Sequence, residues 1–136
     1  MNIHHIGYLV DNIENAAIEF ETLGFSRIGK ATEDLSRGIH ILFLQKEGGA
    51  VELIQPINNK SSVYGLRKKY RKSPYHICYE TGNLKDEINH LLKTGNYILL
   101  QPSEPAPAIR DCPNVAFLMN KHIGMIELVE KSDKDV

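Results

Sequence analysis

The chain has 136 residues, of which 42% are apolar and 24% are charged, so its length and composition predict one globular domain with a hydrophobic core. Its formal net charge of −1 argues against a nucleic-acid-binding protein, which needs an excess of basic residues. Because the sequence contains no apolar run of about 18 residues, no signal-peptide pattern and 2 cysteines, we expect a protein of the reducing cytoplasm without a membrane segment.

Residues 1–56 predict a β-α-β-β-β module. Asp11-Asn12 can cap a helix whose apolar positions recur at helical spacing from Ile13 to Leu23, and Gly24 stands where helices commonly end in a left-handed residue. Short runs rich in branched and aromatic residues, bounded by turn residues, are typical of strands. The module is therefore predicted to contain a helix over 13–23 and strands over 3–10, 25–31, 38–46 and 50–55.

The rest of the chain predicts a connector, a second module and a tail. Residues 57–73 are polar, and 62–71 within them favour a short helix. The second module, over 74–130, is predicted to contain a helix over 84–94, a Pro-rich loop over 102–113 and strands over 75–80, 97–101, 114–119 and 125–130. Residues 131–136 are charged and are expected to fray.

The two modules repeat one pattern of residues. His5-Ile6-x-Tyr8 returns as His76-Ile77-x-Tyr79, Phe43-Leu44 returns as Phe117-Leu118, and Val51-Glu52-Leu53 returns as Ile126-Glu127-Leu128. Modules of about 65 residues are small for independent folding, so we expect the two to share one core within a single domain spanning 1–136. The predicted fold class is α+β, built from two β-α-β-β-β modules.

Each module carries one histidine and one glutamate in the middle of an apolar strand. Side chains alternate between the two faces of a strand, so His5 shares its face with Gly7 and Leu9. A carboxylate flanked by Val, Ile or Leu is costly unless it is paired or bound to a metal. The repeated pattern predicts a metal site built from two imidazoles and two carboxylates, those of His5, Glu52, His76 and Glu127.

Each of these residues has a simpler explanation when it is considered alone. A single strand histidine is more often a hydrogen-bonded core residue than a metal ligand, and a single glutamate on an edge strand usually faces solvent. The occurrence of the same pair at equivalent places in both modules favours the metal site. Two imidazoles and two carboxylates suit one divalent ion such as Zn, Ni, Co, Mn or Fe, and leave two positions open for substrate oxygens.

Five segments spread over the chain match the motifs of a known family. They are His4-His5-Ile6-Gly7-Tyr8-Leu9-Val10, Val51-Glu52-Leu53-Ile54-Gln55-Pro56, Tyr75-His76-Ile77-Cys78-Tyr79-Glu80, Val115-Ala116-Phe117-Leu118 and the segment 124–130. On these segments the chain resembles the vicinal-oxygen-chelate superfamily of glyoxalases, bleomycin-resistance proteins and dioxygenases, and within it methylmalonyl-CoA epimerase-like and glyoxalase I-like proteins. The resemblance implies a mixed sheet curved into a cup that holds one divalent metal, with His5, Glu52, His76 and Glu127 as its ligands.

The chain departs from each of these groups at particular places. The loop 107–113 and Met119-Asn120 stand where such epimerases carry a Gly-rich loop and a His-Pro pair, and 120–124 replaces the Asp-Pro-x-Gly turn of simple glyoxalases. The loop 102–113 also has no counterpart in the other module, and His40 has only Asn114 as its counterpart. We expect these unrepeated places to determine the substrate.

The resemblance implies a metal-dependent enzyme that removes a proton next to a carbonyl or thioester and stabilises the resulting enolate. Isomerisation of the methylmalonyl-CoA epimerase kind is the first expectation, and conversion of a hemithioacetal by a glyoxalase I-like lactoylglutathione lyase is the alternative. A further alternative is an antibiotic-binding protein that uses the same cup without chemistry. We assign Glu127 as the base and His40 as the group that returns the proton, with Glu52 as an alternative to His40.

The expected partner is a small-molecule substrate, either an acyl-CoA or a thiol adduct. The basic run from Arg67 to Lys72 could meet the phosphates of such a substrate, although a solvated helix face explains it more simply. Cys78 is expected to pack in the interior, since no cationic neighbour lowers the pKa of its thiol. Family members often dimerise, and a homodimer is compatible with a chain of this size.

Overall fold

The computed structural model of the protein describes residues 1–61 and 63–132. Within these ranges the elements are, in chain order, β1 (Asn2–Leu9), α1 (Ile13–Thr22), β2 (Ser26–Asp34), β3 (Ile39–Lys46), β4 (Gly49–Pro56), α2 (Tyr64–Tyr70), β5 (Ser73–Thr81), α3 (Leu84–Lys93), β6 (Tyr97–Pro105), β7 (Asn114–Asn120) and β8 (Gly124–Glu130). This order confirms both β-α-β-β-β modules and the short helix of the connector. None of the helices in the described ranges combines the length and the apolar character needed to cross a membrane.

The chain divides into two compact units. We call residues 5–75 the N-terminal unit, and residues 1–4 together with 76–136 the C-terminal unit. The boundaries of the units fall inside β1 and β5. The module bounds 1–56 and 74–130 stay a prediction. Of the tail that was expected to fray, residues 133–136 lie outside the described residues.

In the N-terminal unit, the strands are hydrogen-bonded in the order β2-β3-β4-β1. β1 runs parallel to β4, whereas β3 is antiparallel to both β2 and β4. One face of these strands packs under α1, in a cluster formed by Val10, Ile13, Ala17, Leu42, Leu44, Val51 and Leu53. Because side chains alternate along each strand, the opposite face carries His5, Phe43 and Glu52.

The C-terminal unit repeats this arrangement, with strands in the order β5-β8-β7-β6. β5 runs parallel to β8, and the other neighbours are antiparallel. The face covered by α3 forms its own cluster from Leu84, Ile88, Leu91, Ala116, Leu118, Ile126 and Leu128. The opposite face carries His76, Phe117 and Glu127. In each unit the cluster beneath the helix therefore takes one face of the strands, and the His and Glu side chains lie on the other.

The starts of α1 and α3 are capped in the same way. The Asn12 side chain accepts a hydrogen bond from the Asn15 backbone N–H at 2.9 Å. The Asn83 side chain accepts one from the Asp86 backbone N–H at 3.0 Å. These asparagines satisfy backbone donors that have no partner inside the first helical turn, which fixes where each helix begins. Both helices start at the predicted residue, and both end one residue before the predicted end.

β2 and β6 are longer than predicted. β2 continues to Asp34 where a loop was expected from 32, and β6 continues to Pro105 through the Pro-rich stretch expected to be a loop. β6 stands last in the order of its unit, so it has one hydrogen-bonded neighbour there. A proline on such a strand can direct its missing N–H away from that neighbour, which is why the sequence rule that proline ends a strand fails at this place.

A buried carboxylate organises the turn between β2 and β3. Asp34 is 3% exposed, and its Oδ1 accepts hydrogen bonds from Ser36 Oγ at 2.7 Å and from the Arg37 backbone N–H at 3.2 Å. Its Oδ2 accepts from the Arg37 guanidinium. Burial has the largest single effect and would raise the pKa of Asp34, but the hydrogen bonds from Ser36 and Arg37 and the charge of Arg37 together hold that pKa below its usual value.

We expect Asp34→Asn to lower the free energy of unfolding by about 2 kcal/mol at pH 7, because the side chain keeps its size but loses the charge that Arg37 pairs with. The lowered pKa means that the stabilisation is complete above the carboxyl pKa of the unfolded chain and is lost as pH falls through the folded-state pKa. Urea unfolding at pH 7 and at about pH 3 measures both effects. The gap between variant and wild type should shrink in acid.

The matched control is Glu19→Gln, which removes an exposed carboxylate from α1 and should leave stability almost unchanged. A gap between Asp34→Asn and wild type that widened in acid would contradict the prediction.

Candidate functional site

The first half of the candidate site is a buried His–Glu pair in the N-terminal unit. Glu52 of β4 lies beside Gly7 of β1, and His5 shares the face of Gly7 because it stands two residues earlier in the same strand. His5 Nε2 lies 3.5 Å from Glu52 Oε1. His5 is 1% exposed and Glu52 is 6% exposed. The parallel pairing of β1 with β4 therefore brings together two residues that are far apart in sequence.

The C-terminal unit builds a second pair in the same way. Glu127 of β8 lies beside Cys78 of β5, and His76 stands two residues before Cys78. His76 Nε2 and Glu127 Oε1 are 3.0 Å apart, within hydrogen-bond distance, and both residues are 4% exposed. The shorter distance marks this as the tighter of the two pairs. Cys78 is fully buried beside it, as expected for a packing residue.

An aromatic ring stands against each imidazole. The ring centroids of His5 and Phe43 are 5.3 Å apart at an interplanar angle of 83°, and those of His76 and Phe117 are 5.4 Å apart at 88°. Phe43 lies directly opposite Glu52, and Phe117 lies directly opposite Glu127. Sequence reasoning gave these phenylalanines no role, although their repetition as Phe-Leu was visible. They fix the imidazole rings by edge-to-face contact.

Burial singles out the same four residues. Among the described residues, the buried histidines are His5 and His76, and the buried glutamates are Glu52 and Glu127. An ionised carboxylate without compensation is costly in such surroundings, and an imidazole beside it compensates only part of that cost. Imidazole nitrogen and carboxylate oxygen are ligands that borderline divalent metals accept. The chemistry of each pair therefore fits a metal ion.

His40 lies on the face of its sheet opposite to the face that carries Glu52. It stands opposite Gln55, whose Oε1 accepts a hydrogen bond from the Ile13 backbone N–H at the start of α1, at 2.9 Å. Phe43 and Glu52 occupy the opposite face, because Phe43 stands three positions after His40 along β3 and successive side chains alternate. His40 Nδ1 lies 3.7 Å from Glu33 Oε1, on the side of α1. The register of β3 with β4 therefore places His40 on the face away from Glu52. The acid/base role assigned to His40 stays a prediction. The alternation along β3 could be predicted from the sequence, but the face that holds the Glu52 carboxylate could not.

The basic run of the connector is largely solvated. Lys68 and Lys69 are exposed, and Lys72 Nζ lies 3.5 Å from Asp11 Oδ2. The side chains of Arg67 and Tyr70 lie outside the described residues. These positions agree with the simpler interpretation of the run as a solvated helix face, and contact with substrate phosphates stays a prediction.

Comparisons with known proteins place the chain in a family. Residues 4–117 match the family model described as the Glyoxalase/Bleomycin resistance protein/Dioxygenase superfamily. The mitochondrial methylmalonyl-CoA epimerase of Homo sapiens is 24% identical over 92 residues, which cover 67% of this chain and 52% of that protein. The epimerase of Bos taurus is 21% identical over 90 residues, covering 65% and 51%. The chain thus spans about half the length of the curated relatives it matches.

Solved structures share the fold. A hypothetical protein from Bacillus halodurans C-125 has a TM-score of 0.84 at 24% identity, covering 97% of this chain and 95% of its own. Methylmalonyl-CoA epimerase from Mycobacterium tuberculosis has a TM-score of 0.79 at 20% identity, with coverages of 97% and 89%. An epimerase variant from Streptomyces coelicolor in complex with 2-nitronate-propionyl-CoA has a TM-score of 0.79 at 22% identity, with coverages of 98% and 96%. At these identities the likeness shows the fold.

We expect Phe117→Leu and Phe43→Leu each to lower the free energy of unfolding by about 1 kcal/mol, since leucine keeps the apolar contact but loses the edge-to-face contact. The imidazole proton resonance of His76 should shift in Phe117→Leu, and that of His5 in Phe43→Leu, because the ring current disappears. Denaturant unfolding and NMR measure the two effects.

Phe25→Leu is the matched control, since Phe25 packs on the α1 side against Phe20 at a centroid distance of 5.2 Å. It should leave both imidazole resonances in place. Unchanged imidazole resonances in Phe43→Leu and Phe117→Leu would show that these rings do not hold the histidines.

Proposed function

Because the chain belongs to the Glyoxalase/Bleomycin resistance protein/Dioxygenase superfamily, we propose that it is a divalent-metal-dependent enzyme that removes a proton next to a carbonyl or thioester. The observation that carries this proposal is the repeated burial of one imidazole and one carboxylate on the face opposite the helix of each unit. Epimerisation of the methylmalonyl-CoA kind is the proposed reaction. Two curated relatives bear that name.

We assign one metal ion to His5, Glu52, His76 and Glu127, a donor set that could hold such an ion. Each unit offers one imidazole and one carboxylate, and two protein ligands are too few for the sites that divalent ions usually occupy in enzymes. The two pairs together would provide four ligands and leave coordination positions of the ion for substrate oxygens. When bound, the ion would act as a Lewis acid that polarises the carbonyl and makes the neighbouring C–H more acidic.

Glu127 is the proposed base. A carboxylate accepts the proton from the carbon next to the thioester, and a hydrogen bond with the His76 imidazole fixes its position. Inversion requires a group on the opposite face of that carbon to return a proton, and we assign this second role to Glu52. Glu52 replaces His40 here because Glu52 lies on the same face of its sheet as His5, whereas His40 lies on the other.

The glyoxalase I-like reaction is the second candidate. The family description names glyoxalase, and isomerisation of a hemithioacetal also moves a proton between carbons next to an oxygen. The same four residues would serve either reaction, so the fold does not separate the two. The proposed substrate is accordingly a thioester or a thiol adduct, with a coenzyme A thioester first. We further propose a cytoplasmic homodimer.

Purified protein should bind one divalent ion per chain, and single alanine substitutions of His5, Glu52, His76 or Glu127 should each abolish tight binding, since every one of them removes a ligand. Metal analysis after dialysis against limiting chelator, together with calorimetric titration of the apoprotein, measures the stoichiometry.

His90→Ala is the matched control, because His90 is an exposed histidine on α3 and should not affect the stoichiometry. One ion still bound tightly after the double substitution His76→Ala and Glu127→Ala would show that His5 and Glu52 act alone. The four-ligand assignment would then be wrong.

Wild-type protein should exchange the α-proton of methylmalonyl-CoA with solvent deuterium, and Glu127→Gln should slow this exchange by about 100-fold or more, since removal of a general base costs that much. Glu52→Gln should reduce epimerisation more strongly than His40→Gln. NMR and mass spectrometry measure the exchange.

Consumption of a methylglyoxal–thiol adduct without exchange into methylmalonyl-CoA would favour the glyoxalase reaction. Tight binding of small molecules with turnover of neither substrate would indicate a binding protein. Loss of epimerisation in His40→Gln alone would overturn the assignment of Glu52.

A further inference from the structure

Gln101 of β6 holds a buried amide nitrogen that the fold does not use. Its Nε2 is buried and has no hydrogen-bond partner among the described residues. A buried N–H group without an acceptor costs free energy, so native proteins rarely keep one without a functional reason. The side chain as a whole is only partly buried, so the amide can reach an approaching ligand by rotation about its own side-chain bonds.

An irregularity in β6 turns Gln101 toward the candidate site. Leu99 lies opposite Leu118, and Gln101 lies opposite Phe117. Two steps along β6 therefore correspond to one step along β7. The extra residue is Leu100, which forms a β-bulge. In a regular strand Gln101 would share the face of Leu99, which packs on the core beneath α3. The bulge moves Gln101 to the opposite face.

Gln101 consequently lies in one row with the proposed catalytic residues. Directly opposite residues of antiparallel strands share a face, and Gln101 faces Phe117, which in turn faces Glu127. Phe117 also contacts the imidazole of His76. The backbones of β6 and β8 are roughly 10 Å apart at two strand spacings. A glutamine side chain extends over much of that gap, so a small acyl group held near Glu127 comes within its reach.

Among the described residues of the N-terminal unit, no amide stands in the corresponding place. There the residue opposite Phe43 is Ile28, which is 44% exposed, and no bulge interrupts β2 between Arg27 and Ile28. The two units therefore share the His, Glu and Phe residues of the site but differ at this position. A hydrogen-bond donor on one side of the site suits a substrate that carries an oxygen on one side of its reacting carbon.

We propose that Gln101 binds the substrate by donating a hydrogen bond from Nε2 to a carboxylate oxygen of a 2-carboxyacyl thioester, an inference that rests on the proposed function. A carboxylate is the strongest acceptor that such a substrate offers to a neutral amide. The amide does not ionise and takes no part in proton transfer. Its role is to hold the carboxylate and to select thioesters that carry one.

The experiment compares wild type with Gln101→Leu, Gln101→Glu and the control Gln45→Leu, a strand glutamine that is exposed. Calorimetry in the presence of divalent metal gives the affinity for methylmalonyl-CoA and for propionyl-CoA, which lacks the carboxylate. Thermal unfolding without ligand gives the stability, and deuterium exchange in wild type tests the underlying reaction.

Gln101→Leu should weaken binding of methylmalonyl-CoA by about ten- to a hundredfold and leave propionyl-CoA binding unchanged. It should also leave the melting temperature unchanged or raise it, because the buried donor is gone. Gln101→Glu should bind methylmalonyl-CoA still more weakly, since it sets a like charge against the carboxylate. Gln45→Leu should match wild type in both affinities.

Two results would overturn this inference alone: a Gln101→Leu variant that loses stability but keeps both affinities, or one that weakens both thioesters equally. Either would be seen against a wild type that exchanges the α-proton. A wild type that binds neither thioester and exchanges no deuterium would overturn the proposed function together with this inference.

Discussion

The candidate site depends on the cost of burying a carboxylate among apolar side chains. Glu52 and Glu127 each stand in the middle of a strand whose neighbouring residues belong to a hydrophobic core, and both are almost fully buried. A charge in that position requires a partner on its own face of the sheet. The parallel pairing of β1 with β4, and of β5 with β8, supplies an imidazole at each of these places.

The two faces of each sheet carry different residues because side chains alternate along a strand. Apolar side chains of β3, β4, β7 and β8 pack under a helix, and the residues between them must point to the other face. In each unit that other face gathers a histidine, a glutamate and a phenylalanine. The phenylalanine limits the motion of the imidazole, so the donor atoms are held in place before any ligand arrives.

The two units share the residues of the candidate site, and we propose that the places where the units differ determine the substrate. Phe43 and Phe117 correspond, as do the two His–Glu pairs, yet Ile28 in one unit corresponds to Gln101 in the other. A site built from two matching units is symmetric, whereas the proposed substrate carries a single carboxylate. One bulge at Leu100 suffices to place a different side chain on the site face, because a one-residue shift exchanges the two faces of a strand.

The sequence by itself determined the two β-α-β-β-β modules, the starts of α1 and α3, and the choice of His5, Glu52, His76 and Glu127 as candidate ligands. Hydrophobic periodicity and helix-capping residues are local signals, and the repeat is visible when the two halves of the sequence are compared. The tertiary structure decided which strands pair, and therefore that His5 lies beside Glu52 and His76 beside Glu127. It also decided that His40 lies on the face of β3 that packs under α1, and that Gln101 lies opposite Phe117. Strand pairing and bulges arise from contacts between distant segments, so the alternation along one strand cannot show which of its faces meets the site.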